Sequence, residues 1–215
     1  MTLKPEERSL PFYRRLTSTF GPLFSWGNWR YSKRVSAELS AFRNCENVHD
    51  LPEIFHYWSN KYLVPLHAPF GFENPDEFFF LNLCKRCCNA VDRAARFVSI
   101  GSGNCDLEVS LAEKLRANGQ QDFVIECLDL NPDMLARGLS AARLAGVEGL
   151  LQFNRGDFNQ WQPEAGAYDA VIANQSLHHV LGLEHLFESI RLGLKPCGSF
   201  IISDMIGRNG HQRWP

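Results

Sequence analysis

The chain lacks a strong charge imbalance. Over 215 residues the formal net charge is −2, which offers no broad attraction to nucleic acid or to an anionic membrane surface. It also lacks a long hydrophobic run, since no apolar stretch approaches the roughly 18 to 20 residues that span a bilayer. The N-terminal MTLKPEERSLPFYRR has no continuous apolar core of the kind a secretion signal carries, so a cytoplasmic protein is expected. Internal repeats and low-complexity tracts are absent too. Cysteine is not scarce, but its arrangement excludes two roles. An odd count of seven, scattered through helical and strand-like runs, argues against a disulfide framework. The one cluster, Cys84, Cys87 and Cys88, has no second pair at ligand spacing and contains two adjacent members, which argues against zinc. Phe78, Leu81, Cys84, Cys88 and Val91 recur at helical spacing, so the expected role is core packing.

What is present falls into two regions. Residues 1–95 read as mostly helical. Asn28 to Arg43 holds few turn formers, with Val35, Leu39 and Phe42 on one face. Asp50 and Glu53 are placed as a cap and its partner before a helix. Asn74-Pro-Asp-Glu repeats that logic, with proline at the first turn and acids near the positive helix end. The helix it opens is expected to reach about Arg93, and Val64 to Gly71 reads as a proline-broken connector. Aromatics crowd this region, from Phe12, Tyr13, Phe20, Phe24, Trp26, Trp29 and Tyr31 to Phe55, Tyr57, Trp58, Tyr62, Phe70, Phe72, Phe78, Phe79 and Phe80. They serve either to bury the helices against the main domain or a second subunit, or to form a cap over a substrate pocket.

Residues 96–204 change character. Short apolar runs at Arg96–Ile100, Phe123–Leu128, Leu150–Asn154, Tyr168–Ala173 and Ser199–Ser203 read as strands. They alternate with helical stretches at Asp106–Ala117, Pro132–Leu144 and Leu183–Leu192. That alternation predicts an α/β fold, a mostly parallel sheet of about five strands with helices on both faces. Right-handed crossovers then place a ligand beyond the carboxyl ends of the strands. Residues 205–215 read as a C-terminal tail that begins a further segment.

The strand ends carry the chemistry. Gly101, Ser102 and Gly103 follow the first strand directly. The first glycine permits a tight turn, and the second removes a side chain that would block a cofactor. The dinucleotide fingerprint G-x-G-x-x-G fails, because its third glycine would fall at Asp106, and an acid there repels a pyrophosphate. No G-K-[ST] follows, so a P-loop is excluded. An acidic mouth suits a ligand with a positive centre. Glu108, one turn into the helix, either faces such a centre or is a solvated acid. Asp129 closes the second strand and can accept both hydroxyls of a ribose, with Leu130 against an adenine; capping the next helix suits Asn131 better. Asp157 can accept from an adenine amino group, while the Phe158 amide donates to a ring nitrogen or its ring stacks. Asn174 ends the fourth strand, placed for the amino-acid part of a cofactor or for substrate. His178 and His179 follow, either as a general base or as local caps of the pocket floor. Asp204, ending the fifth strand, reads as structural or as lining the substrate entrance.

Taken together, Phe97-Val-Ser-Ile-Gly-Ser-Gly-Asn-Cys, Leu128-Asp-Leu, Gly156-Asp-Phe, Tyr168-Asp-Ala-Val-Ile-Ala-Asn-Gln-Ser-Leu-His-His-Val and Leu192-Gly-Leu-Lys-Pro-Cys-Gly-Ser-Phe resemble the ordered motifs of the class I S-adenosylmethionine-dependent methyltransferases. The resemblance covers about residues 96–204. It implies a Rossmann-like sheet, S-adenosylmethionine as cofactor with S-adenosylhomocysteine as product, and methyl transfer to a nucleophile. With the residue readings above, the candidate cofactor-binding residues are Gly101, Ser102, Gly103, Glu108, Asp129, Leu130, Asp157, Phe158 and Asn174, the candidate catalytic residues are His178 and His179, and no metal is expected.

Departures from the family pattern qualify this. Ser99 stands where the family often has an acid, and Cys105 replaces the third glycine of its first motif. Glu108 or Asp106 is the expected source of the missing charge. The family sheet has seven strands in the order 3-2-1-4-5-7-6, whereas this chain stops at Pro215. The expectation is a piece of a longer enzyme, or a fifth strand covered by the N-terminal helices or another subunit. The expected acceptor is a small molecule, methylated on oxygen or nitrogen. The alternatives are methylation of a protein, or a cofactor-binding interaction module without turnover. Nucleic acid and membrane are not expected as partners, whereas self-association through the open sheet edge or the N-terminal helices is.

Overall fold

The computed structural model describes residues 31–33, 35–37, 39–40, 52–90 and 92–204. The chain divides into two compact units, Met1–Glu38 and Leu39–Pro215. The described residues of the first are helical. The expected caps at Asp50, the aromatics before Tyr31 and the tail 205–215 lie outside the described residues.

The second unit begins with helical turns. Helix α1 (Glu53–Trp58) runs into a π turn (Ser59–Leu63), helix α2 (Val64–His67) and a 3-10 turn (Ala68–Phe70). This corrects the connector expected at Val64 to Gly71. Pro65 and Pro69 each fall in the first turn of their short segment, where a missing N–H is no loss. Gly71, at φ 87°, ends the run. None of these turns buries a residue.

Helix α3 (Pro75–Asn89) opens as its sequence dictates. The Asn74 side chain accepts the Glu77 amide at 2.9 Å, and the Glu77 carboxylate accepts the Glu73 amide at 2.8 Å. The helix ends at Asn89 rather than near Arg93, because Ala90 leaves helical geometry and Asp92 turns to φ 62°. The apolar stripe is also rotated from the expected one. Phe79 and Leu83 are the buried residues, Cys84 and Cys87 pack beside them, and Cys88 is exposed. Burial raises the Cys87 thiol to about 12, which keeps it protonated and inert.

The remaining elements alternate except between β3 and β4, which no helix separates: β1 (Ala95–Ile100), α4 (Asp106–Ala117), β2 (Phe123–Asp129), α5 (Pro132–Leu144), β3 (Leu151–Arg155), β4 (Tyr168–Asn174), α6 (Leu183–Gly193) and β5 (Leu194–Ser203). All five strands are parallel in the order β3-β2-β1-β4-β5. Successive strand side chains point to opposite faces, and the core splits accordingly. Phe97, Ile125 and Ile172 join Phe79, Leu83, Leu111 and Leu115 on one side. Val98, Ile100, Leu128 and Val171 join Leu186 and Ile190 on the other. Each of these large apolar side chains contributes about 1.5–3 kcal/mol by leaving water. Among the described residues no helix is long and apolar enough to cross a membrane.

Strand β5 begins earlier than its apolar run. Leu194 pairs with Tyr168 and Ser199 with Ala170, so residues 195–198 bulge opposite Asp169. Cys197, at φ 66°, turns within the bulge, and the Arg86 guanidinium donates to its carbonyl. Asp169 ties the bulge down, accepting from Arg93 at 2.8 Å, the Arg96 amide at 2.9 Å and Lys195 at 2.7 Å. Burial alone would raise its carboxyl, but these donors bring it from 3.8 to about 2. A depressed acid stabilises the fold above its unfolded value and loses that contribution as pH falls through the folded one, here between 3.8 and about 2. Asp169→Asn is expected to lower stability at neutral pH by about 2 to 3 kcal/mol, read by urea denaturation. An unchanged midpoint would remove this role.

Candidate functional site

Strand order reverses between β1 and β4, so the chain leaves these adjacent strands in opposite directions and opens a crevice at their carboxyl ends,. The turn after β1 lines it. The Gly101 and Ser102 amides donate to the Leu128 carbonyl of β2 at 2.8 and 3.2 Å. Gly101 lies at φ 69°, and a Cβ there would sit 2.6 Å from the Ser176 Cβ. Gly103 lies at φ 56°. Cys105 adopts φ 60° as the residue before α4, a left-handed conformation that favours glycine. This explains why the family motif has glycine where this chain has cysteine. Gly138 of α5 leaves the space the Cys105 side chain fills.

Asp129 joins the turn to the second strand. One carboxylate oxygen accepts the Gly103 amide at 2.8 Å and the other the Asn131 amide at 2.8 Å. Burial raises its pKa, and the amides of Asn131, Gly103 and Leu130 pull it back. Each carboxylate oxygen has room for a second donor. Asn131 caps α5 as expected, its side-chain oxygen accepting the Asp133 and Met134 amides at 3.0 and 3.4 Å. Leu130, beside it, is half-buried.

The third strand end approaches through the Gly156 amide, which donates to the Asp129 carbonyl at 2.9 Å. Asp157 is half-buried and accepts the Asn159 amide at 2.9 Å and the Gln160 side chain at 3.1 Å. The Phe158 ring is buried in the core with Ile100 and Leu128, and its edge lies 3.5 Å from where a Gly101 Cβ would stand.

On the other side of β1, Asn174 ends β4 half-buried, and Gln175 turns to φ 51°. His178 and Asp204 meet there, Nδ1 lying 3.2 Å from the Asp204 carboxylate. The second Asp204 oxygen accepts the Leu177 amide at 2.7 Å. Asp204 is 1% exposed in its side chain and His178 24%, so the acid is buried and the imidazole reaches the surface. The His179 ring lies 4.1 Å from that of His178. The sequence shows both members but not their pairing, which arises only because β4 and β5 run parallel side by side.

Glu108 is fully buried, which removes the solvated alternative. It accepts the Ser99 hydroxyl of β1, and burial raises its carboxyl to about 7. A sequence signal for this existed. Glu108, Leu111, Ala112 and Leu115 share one helix face, and all are buried. Asp106 is exposed.

Among the described residues, four buried side-chain polar atoms lack a partner, and three are Glu108 Oε2, Asn131 Nδ2 and Ser176 Oγ. They belong to the segments that follow β1, β2 and β4. Orphaned polar groups at converging strand ends, beside a turn that excludes side chains, are the features a polar ligand would satisfy.

A family model described as a methyltransferase domain matches residues 92–212. Lovastatin diketide synthase of Aspergillus terreus is 31% identical over 130 residues, 56% of this chain and 5% of that protein. Among solved structures, the DszA carbon methyltransferase superposes with a TM-score of 0.54 at 16% identity, covering 67% of this chain and 40% of that one. A proposed sarcosine dimethylglycine methyltransferase from Galdieria sulphuraria gives 0.51 at 23% identity, covering 60% and 46%. The chain thus spans less than half the length of each of these proteins. At these identities the two structures share the fold with this chain.

Proposed function

The chain belongs to the class I S-adenosylmethionine-dependent methyltransferase family, and from that premise we propose that it transfers a methyl group to a small-molecule acceptor. The observation that carries this reading is the Asp129 carboxylate. It is anchored by two backbone amides beside a turn where Gly101 has no room for a side chain. A fixed acid of this kind can accept ribose hydroxyls with its remaining lone pairs.

The donor set fits the cofactor. Asp129 would hold the ribose, with Leu130 against the adenine. Asp157 and the Phe158 amide would read the adenine edge, since the buried Phe158 ring is already engaged in the core. The main chain of Gly101, Ser102 and Gly103, with Asn174, would receive the amino-acid arm. Bound S-adenosylmethionine supplies an electrophilic methyl on a sulfonium, so the protein chiefly has to position the acceptor. His178 is the candidate base. With Asp204 accepting from Nδ1–H at 3.2 Å, the ring would be held in the tautomer that leaves Nε2 free to accept a proton, as the orienting acid does in other His–carboxylate pairs. This arrangement serves an acceptor that must lose a proton, such as a hydroxyl, more than an amine.

Calorimetric titration with S-adenosylmethionine, followed by methyl transfer to a panel of small acceptors, tests the proposal. Micromolar binding is expected, weakened about tenfold or more in Asp129→Ala by loss of hydrogen bonds to a charged group. Binding that is indifferent to Asp129, or turnover confined to protein acceptors, would contradict it.

A further inference from the structure

The helical run that opens the second unit presents large apolar side chains to solvent. From α1 through the π turn, α2 and the 3-10 turn, the backbone stays right-handed helical at every junction, at Trp58, Ser59, Leu63, Val64, His67 and Ala68. Ile54, Trp58, Tyr62 and Leu66 recur along this rod every four residues and are 49% to 65% exposed. In a regular α-helix a four-residue step overshoots a full turn by about 40°, so such a series would wind around the rod. The π turn at Ser59–Leu63 takes more residues per turn and cancels the drift. The four side chains therefore hold one line, about 18 Å long, and the Trp58 and Tyr62 rings lie 6.5 Å apart on it. Phe70 falls out of line, because the 3-10 turn at Ala68–Phe70 advances about 120° per residue.

The line carries no charge. The cation beside it, Lys61, lies over the Tyr57 and Tyr62 rings at 5.2 and 5.3 Å and donates to the Tyr57 hydroxyl at 2.7 Å, so its charge is answered within its own chain. A helix flank is convex and does not enclose a small acceptor as a pocket does. With the neighbouring Phe55 and Tyr57 it exposes roughly 600 Å² of apolar side chain, on the scale of the roughly 800 Å² that each partner gives to a standard interface. The line is also complementary to itself. A second copy turned about a two-fold axis level with Asn60 runs antiparallel to the first. Ile54 of one copy then meets Leu66 of the other, and Trp58 meets Tyr62, aliphatic on aliphatic and ring on ring.

We propose that this line is a homodimer contact, in which two copies of the chain pack Ile54, Trp58, Tyr62 and Leu66 antiparallel about that axis. The inference stands on the rod alone and is independent of the methyltransferase reading.

Sedimentation velocity of the whole chain, from about 1 to about 50 μM, tests it. Twice the chain mass is expected at the upper end, with dissociation on dilution. Trp58→Glu sets an unpaired carboxylate against Tyr62 of the other copy and should weaken the dimer at least about tenfold. Trp58 is about half exposed, so the far-ultraviolet circular dichroism of this variant should match the parent. Phe70→Glu changes the most exposed aromatic among the described residues, but one off the line, and should leave the dimer intact. Cross-linking reads the register. Ile54→Cys chains mixed with Leu66→Cys chains should give a covalent dimer on oxidation, above the background of the native cysteines in the unmodified chain. Neither variant alone should exceed that background, since equal positions lie about 18 Å apart along the paired rods, beyond the reach of a disulfide. A chain that stays monomeric at the upper concentration, with the line bare or covered by another part of the same chain, overturns the proposal. So does a dimer untouched by Trp58→Glu, equal weakening by Phe70→Glu, or a mixture of the two cysteine variants that does not cross-link.

Discussion

Gly101→Ala is expected to abolish cofactor binding and to cost the fold about 2 to 5 kcal/mol. Two independent penalties add. The backbone stands at φ 69°, where any L-residue with a Cβ is disfavoured by about 1–2 kcal/mol. The new methyl would lie 2.6 Å from the Ser176 Cβ, and Ser176 is only 3% exposed, so it cannot swing aside. Overpacking of this sort costs about 1–3 kcal/mol. Relief can come only by moving the turn away from the end of β4. That would pull the Gly103 amide from Asp129 and open the crevice where β1 and β4 part. For a chain of this size the stability loss corresponds to a melting temperature lower by roughly 5 to 15 °C. Thermal unfolding and S-adenosylmethionine titration of the same sample check both effects. A variant that melts like the parent, or still binds, would show that the turn has slack the structure does not display.

Gly138→Ala carries the second large effect, and its sign runs against helix propensity. In the middle of a helix, alanine ordinarily beats glycine by about 1 kcal/mol. In α5 the added Cβ would meet the Cys105 Sγ at 2.7 Å, the Cys105 Cβ at 2.8 Å and the Asn104 carbonyl at 3.0 Å. A net loss of about 1 to 2 kcal/mol is expected once the propensity gain is set against the clash. Cys105→Gly should rescue it, because that change removes both sulfur and Cβ and suits the left-handed backbone at φ 60°. The two substitutions touch, so their effects should be strongly non-additive. The double variant is expected to melt well above Gly138→Ala alone. Simple additivity in a denaturation cycle would mean that helix and turn do not press on one another. The pair then accounts for how this chain tolerates a cysteine where its family has glycine.

The helices with side-chain caps were legible in the sequence. Asn74-Pro75 and Asn131-Pro132 combine an oxygen that accepts orphan amides with a ring that needs none, and both helices start where those residues stand. The three central strands, β1, β2 and β4, were legible because they are near-continuous apolar runs, as strands covered on both faces must be,. Three features were hidden by competing signals. Pro65 and Pro69 mark breaks in most contexts, yet each falls in a first turn and lets helical geometry continue. The stripe of α3 is centred on Phe79 and Leu83, and its neighbour Phe78 gave the same period at a different phase. Strand β5 starts before its apolar run because Asp169 draws Lys195 against the sheet.

The candidate site was legible where one segment supplies both turn and acid, as at Gly101 to Gly103 and Asp129. Pairings between segments were not. His178 and Asp204 are separated by all of α6 and β5, and only the parallel alignment of the last two strands brings them to 3.2 Å. The sequence leaves Glu108 between facing a positive centre and standing solvated, and its place beside Leu111, Ala112 and Leu115 on the apolar face of α4 is the signal that rules out the second.

The two amides that Asp129 accepts have a consequence for how a ligand would be taken up. The Gly103 amide on Asp129 and the Gly101 and Ser102 amides on the Leu128 carbonyl already fasten the turn after β1 to the end of β2 in the protein alone, while the Asn131 amide steadies the same carboxylate from within its own loop, so an arriving nucleoside need not organise them. Little conformational entropy is then spent at the moment of association. Capture would resemble a key meeting a finished lock, and the slow event in a catalytic cycle would shift toward departure of the spent donor from a cradle that does not relax around it.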